Sequence, residues 1–132
     1  MKAQRLARLA ALFVMLAGCG GEESTGPQSG RLRLAISTPN ADDRAVAMTI
    51  TGTVSDVQAI AGYQVYVSEL EDRTAIIVVP QGSAAFPATE TDVATLEVPN
   101  VQAASDYAVA VIQAAGADYE LRLGAGYAAR LR

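Results

Sequence analysis

An all-β fold, a single antiparallel β-sandwich of about seven strands, is what the sequence predicts, and three observations predict it. After residue 30 the apolar residues recur with a period of two. The alternating runs are short and are separated by clusters of Pro, Gly, Asn and Asp. No stretch carries the 3.6-residue period of a long amphipathic helix. Arg31 to Arg132 gives 102 residues, enough for one hydrophobic core and too few for two.

Each strand has its own warrant. In Arg31 to Ser37, Leu32, Leu34 and Ile36 alternate with Arg31, Arg33 and Ala35; in Ala45 to Gly52, Val46, Met48 and Ile50 alternate with Ala47, Thr49 and Thr51. Tyr63, Val65 and Val67 mark a third strand. Ala75 to Val79 is a continuous, largely β-branched run that suits a strand covered on both faces. Val93 to Val98, Tyr107 to Gln113 and Tyr127 to Leu131 complete the seven. Turn chemistry separates them at residues 37–43, Glu71-Asp72-Arg73, Pro80-Gln81-Gly82, Pro99-Asn100 and Gly124-Ala125-Gly126. Val57 to Ala61 or Val101 to Ser105 offers room for one helical turn. Tyr119 to Leu123 offers an eighth strand, with Glu120 and Arg122 pointing outward.

Leu96, Pro99, Tyr107, Val109 and Val111 together resemble the corner of immunoglobulin-like and fibronectin type III domains, where one strand ends at a Pro and a Tyr opens the next. The resemblance covers about sixteen residues and implies an immunoglobulin-like sandwich in which the Tyr107 hydroxyl bonds back to the corner backbone. The chain departs from both families in having no Trp and no Cys pair. A cohesin-like sandwich fits equally well.

The first 18 residues read differently. Lys2, Arg5 and Arg8 form a basic segment without acids, and Leu9 to Ala17 is uncharged and apolar, ending at the small Gly18. That is the layout of a secretory signal. Leu9 to Gly18 would span roughly 15 Å as a helix, against about 30 Å of membrane hydrocarbon. Leu16-Ala17-Gly18-Cys19 then resembles the lipobox of bacterial lipoproteins. The resemblance implies cleavage between Gly18 and Cys19 and acylation of Cys19, a lipid anchor carrying chains such as palmitate. The predicted organisation is a signal peptide at 1–18, a lipidated N-terminus and flexible linker at 19–30, and the β-sandwich domain at 31–132. Two or more acyl chains hold a domain on a bilayer stably where one is marginal. Gly20 to Gly30 has no large apolar residue and reads as a tether of roughly 17–20 Å rms reach. The expected location is the bacterial cell envelope. Gly20 follows the Cys where Asp does not stand, which by resemblance to enterobacterial sorting rules implies the outer membrane if the organism has one, and Glu22 and Glu23 resemble the acidic signals of surface-exposed lipoproteins.

Beyond residue 18 the chain has seven Arg, fourteen Asp or Glu, no Lys and no His, a charge of −7. A Ser-His or Cys-His pair, a His-containing zinc site and a Schiff base are therefore excluded from that segment. The acidic balance and scattered arginines argue against nucleic acid, and no Gly-rich motif joins a strand to a helix, so a nucleotide site has no support. No cofactor is expected.

Three local features carry candidate sites. Asn40, Asp42 and Asp43 place three oxygen-bearing side chains in one turn, the chemistry of a weak Ca²⁺ loop or of an Asx turn capping a strand. Tyr66, opposite in parity to Val65 and Val67, is the aromatic expected to point outward. The Pro80 to Ala88 connection, ending in Phe86-Pro87, is the most apolar long loop and the expected contact for a partner. The expected function is a non-enzymatic binding or structural module, anchored to the membrane through Cys19, meeting an envelope protein or a glycan. The competing readings are a carbohydrate-binding or adhesion module and an envelope enzyme of unfamiliar type using a carboxylate pair.

Overall fold

The computed structural model describes residues 26–132, so the expectations for Gly18 and Cys19 lie outside the described residues. The alternating segments form nine strands there: β1 (Gly30–Ser37), β2 (Asp43–Thr51), β3 (Ser55–Ala59), β4 (Tyr63–Glu69), β5 (Arg73–Pro80), β6 (Thr91–Val98), β7 (Val109–Gly116), β8 (Leu121–Leu123) and β9 (Ala128–Leu131). They pair antiparallel into a four-stranded sheet, β3-β6-β1-β9, and a five-stranded sheet, β4-β5-β2-β7-β8. The molecule is an all-β sandwich.

The core forms where the two inner faces meet. Leu32, Leu34 and Ile36 of β1 and Val93, Leu96 and Val98 of β6 face Val46, Met48 and Ile50 of β2 and Ile76 and Val78 of β5, all buried. Each such side chain contributes about 1.5–3 kcal/mol by leaving water. This burial fixes register, because a one-residue slip would expose every one of them.

Four details differ from the sequence reading. The count is nine strands: the seven expected, the eighth offered at 119–123, which is β8, and β3, which the sequence reading did not give. Of the two segments offered for a helical turn, the second forms it, a 3₁₀ helix at Val101–Asp106 capped by the Asn100 side chain accepting from the Gln102 N–H at 3.1 Å, as expected, while Val57 lies in β3. β5 is covered on one face only, since Ile77 is 44% exposed while Ile76 and Val78 are fully buried. Tyr107 is buried, but its ring lies against Gly52, and no hydrogen bond joins its hydroxyl to the corner backbone among the described residues. The connectivity differs as well from the immunoglobulin order, in which the first strand pairs with the second: here β1 lies between β6 and β9, and β2 is in the other sheet.

The strands run between two ends of the sandwich. At one end the Val101 N–H donates to the Gln28 carbonyl at 2.8 Å, and Gly30 opens β1 beside Val98 of β6. The far end carries the β1–β2 loop, the β5–β6 loop and the β7–β8 turn.

Candidate functional site

At the far end the residues of the predicted cation loop are brought together, but around a guanidinium. Arg122 of β8 donates from Nη1 and Nη2 to the two Asp42 carboxylate oxygens at 2.8 and 2.9 Å, and from Nη1 to Asp43 at 2.7 Å. Asp43 is wholly buried and the Arg122 side chain is 22% exposed. Asn40 donates to the Tyr127 hydroxyl at 2.9 Å. Gly116 lets the guanidinium lie flat on the backbone, since a Cβ there would stand 2.7 Å from Arg122 Nη2. Hydrogen bonding to Arg122 holds the Asp42 carboxyl below the usual carboxylate range; its hydrogen bonds to Asp42 and then Asp43 raise the Arg122 pKa further. Burial raises the Tyr127 pKa. The fixed cation sits where the sequence suggested Ca²⁺, and among the described residues no group of three or more His, Cys, Asp or Glu is placed to hold a metal. The arrangement pins β8 to the β1–β2 loop. It also reverses the expected parity of β8: Arg122 points inward, and Leu121 and Leu123 point out.

The two outer faces of the sandwich differ in kind. On the four-stranded sheet the outward side chains are charged and paired with one another. Arg31 bonds Asp56 and lies 3.3 Å from Glu97; Arg33 reaches Asp92; Arg132 reaches Glu90 and Asp92 at 2.6 and 2.7 Å; Arg130 reaches Glu90 at 2.8 Å. Asp56, at a bulge of β3 with φ of 44°, is held below the usual range first by Arg31 and then by Gln58, and Glu90 first by Arg130.

On the five-stranded sheet the outward positions carry no charge except at the strand ends, where Arg44 and Arg73 stand. One cross-strand row runs over all five strands, Tyr66, Ile77, Ala47, Gln113 and Leu123, each registered with the next. Beside it lie Ser68, Ala75, Thr49 and Ala110 in a second row, and Ala45, Ala115 and Leu121 in a third. Tyr66 is 59% exposed, and Ile112, Leu121 and Leu123 are exposed as well. A shallow apolar groove of about 180 Å³ is floored by Ala45, Ala47 and Ala115 and walled by Ile77 and Leu121.

Of the predicted contact residues, Tyr66 stands on this face and Phe86 does not. Phe86 is 3% exposed, stacked on Tyr63 with ring centroids 5.8 Å apart, and so belongs to the core; this corrects the expectation that its ring meets a partner. Sequence reasoning missed Ile77, Ile112, Leu121 and Leu123. The signal for the first was present: in Ala75 to Val79 every second residue is as apolar as its neighbours, which marks either burial on both faces or an uncharged exposed face. Elsewhere, Glu69, Glu71 and Asp72 line an open cleft of about 350 Å³ at the β4–β5 turn, where Asp72 pairs with Arg73 at 3.3 Å. No helix of the described residues is long and apolar enough to cross a membrane.

Comparison with known proteins finds no match to this chain, whether against family models, curated proteins or solved structures.

Proposed function

We propose that this chain is a lipid-anchored protein of the bacterial cell envelope, held at the outer membrane through Cys19, whose sandwich is a non-enzymatic module that binds protein through the outer face of the five-stranded sheet. The observation that carries the reading is the division of the outer surface. Antiparallel sheets ordinarily place polar and charged residues on the solvent side, as the four-stranded sheet does. The five-stranded sheet instead offers Tyr66, Ile77, Ile112, Leu121 and Leu123 around an alanine floor, the composition of a contact surface rather than a solvated one. The lipobox-like run Leu16 to Cys19 supports the anchor, and the start of β1 at Gly30, beside the bonded Gln28, supports a tether attached at one end of the strands. Asp42, Asp56 and Glu90 have their pKa values lowered, first by hydrogen bonds from arginine, opposite to the raised pKa that a general acid needs. A glycan reading has the exposed ring of Tyr66 in its favour, one ring where a sugar platform uses several.

The anchor is tested by mass spectrometry of the mature N-terminal peptide and by membrane fractionation of a Cys19→Ser variant. Acyl mass on Cys19 and release of the variant from membranes are expected. An unmodified wild-type N-terminus overturns the anchor. Glycan binding that disappears in Tyr66→Ala, with protein contacts unchanged, would replace the protein-binding reading by the sugar-binding one.

A further inference from the structure

We infer that the occupant of the uncharged face is a second copy of this chain, the two five-stranded sheets packing face to face about a two-fold axis that runs along β2. The inference rests on the lipid-anchored reading above, and three observations lead to it.

The first is the distribution of size across the face. On one side of β2 the outward rows carry Ile77 and Val79 on β5 and Tyr66 on β4. On the other side the rows of β7 carry Ala110, Gln113 and Ala115, with Ile112 exposed at its bulge and Leu121 and Leu123 beyond them on β8. A two-fold axis along β2 lays β5 of one copy over β7 of the other, so Ile77 falls over Gln113 and Val79 over Ala115, while β4 meets β8 with Tyr66 over Leu123. The face therefore carries both halves of its own complement, as an isologous interface requires. Stacked sheets settle about 10 Å apart through such interdigitation.

The second is where the chain leaves the domain. The strands run from the end held at Gln28 and Gly30 to the end closed by Asp43 and Arg122, so a tether at the first end presents the sheet face sideways. A two-fold axis parallel to β2 leaves both tethers at the same end, and both copies can be anchored in one leaflet. An axis across the strands would put the tethers at opposite ends.

The third is area. Five strands about 4.8 Å apart and about seven residues long at about 3.3 Å each cover roughly 550 Å² per copy, or about 1,100 Å² for the pair. That is the lower limit for a specific interface. A face of this size suits a partner already concentrated beside it, and copies confined to one membrane meet that condition. The uncharged rows also let two copies, each of charge −7 beyond residue 18, approach without opposing like charges at the contact.

The test uses the full chain, expressed in two forms with different tags, solubilised from membranes and diluted before one tag is isolated. The wild type is expected to bring down its differently tagged copy. Ile77→Arg and Gln113→Glu, which put a charge into the packed face, are each expected to reduce recovery about tenfold or more. The double variant sets Arg at 77 opposite Glu at 113 of the other copy and is expected to recover most of the loss. Arg33→Glu, on the opposite face, is expected to leave recovery unchanged. Thermal melts of each variant accompany the assay; should Ile77→Arg fail to fold, Gln113→Glu decides alone. No recovery of the wild-type copy, or recovery undiminished in a folded face variant, overturns the inference. Loss of self-association with Cys19 acylated refutes the dimer and leaves the anchor standing. Self-association with an unmodified Cys19 does the reverse.

Discussion

Replacing Phe86 by Ala separates the two roles open to the β5–β6 loop, because a core ring and a contact ring fail differently. Phe86 is 3% exposed, stacks on Tyr63 at 5.8 Å with an interplanar angle of 21°, and its N–H donates to the Asp43 carbonyl at 3.1 Å. Phe to Ala changes in cores cost about 3–5 kcal/mol, of which the aromatic pair accounts for about 0.5–1.5. The ring is carried on a loop, which can settle into part of the vacated space, so the lower end, about 3 kcal/mol, is expected. For a body of about one hundred residues with a total stability of about 5–15 kcal/mol, that lowers the melting temperature by roughly 12–20 °C. Circular dichroism melts of the full chain measure it, with Tyr66→Ala as the reference. Tyr66 is 59% exposed on an outer face, so its loss is expected to change stability by no more than about 0.5 kcal/mol. A Phe86→Ala melt within about 3 °C of wild type would refute the core assignment and return the loop to the surface.

Gly52 has φ of +105°, and a Cβ there would stand 2.9 Å from Tyr107 Cδ1, whereas Gly62, at φ of +97°, has nothing within 4 Å. Gly62→Ala is therefore expected to cost about 1–2 kcal/mol from backbone alone, and Gly52→Ala about 1–3 kcal/mol more from the clash, read as the difference in denaturant midpoints. Asp42, Asp56 and Glu90 have folded pKa values lowered by arginine, so their stabilisation is fully present above the unfolded carboxylate range and is lost as pH falls through the folded values. Melting temperature is expected to hold from neutrality to about pH 5 and to decline below about pH 4, and a flat profile down to pH 2 would refute the pairing. Arg122→Met leaves Asp43 buried without its cation. The variant is expected to lose about 3–5 kcal/mol, because removing one partner leaves a wholly buried carboxylate uncompensated, and a melt at neutral pH within about 3 °C of wild type would refute the role of the pair.

The strands of the core are legible in the sequence because their pattern is forced from two sides. Leu32, Leu34 and Ile36 must face the core while Arg31 and Arg33 must face water, and the same holds for Val46, Met48 and Ile50 against Ala47 and Thr49. Where one of those two constraints is missing, the pattern misleads. Ala75 to Val79 has apolar residues on both parities, and the sequence does not say whether Ile77 is buried or only uncharged. Val57 to Ala61 is short and shows no alternation, and the strand that takes in Val57 to Ala59 is fixed by pairing with β6, about forty residues distant. Phe86 reads as loop because it is loop; its burial comes from Tyr63, which no local spacing connects to it.

The β8 segment shows why the site was harder to read than the fold. Glu120-Leu121-Arg122-Leu123 alternates, and the ordinary rule places the charges in water and the leucines inside. The rule reverses here because Asp43 is buried at the start of β2 and needs a cation, and the residue that supplies it stands on a strand reached through β7. One buried carboxylate thus decides the orientation of the edge strand and turns Leu121 and Leu123 onto the surface. The remaining arginines follow the same logic of pairing. Arg31, Arg33, Arg130 and Arg132 stand on the four-stranded face, where Asp56, Glu90, Asp92 and Glu97 meet them, while Arg44 and Arg73 lie at the ends of their strands. No charge is left for the middle of the five-stranded face. Its apolar character is the counterpart of an electrostatic arrangement made elsewhere in the domain, and it becomes visible only once the partner of Asp43 is known.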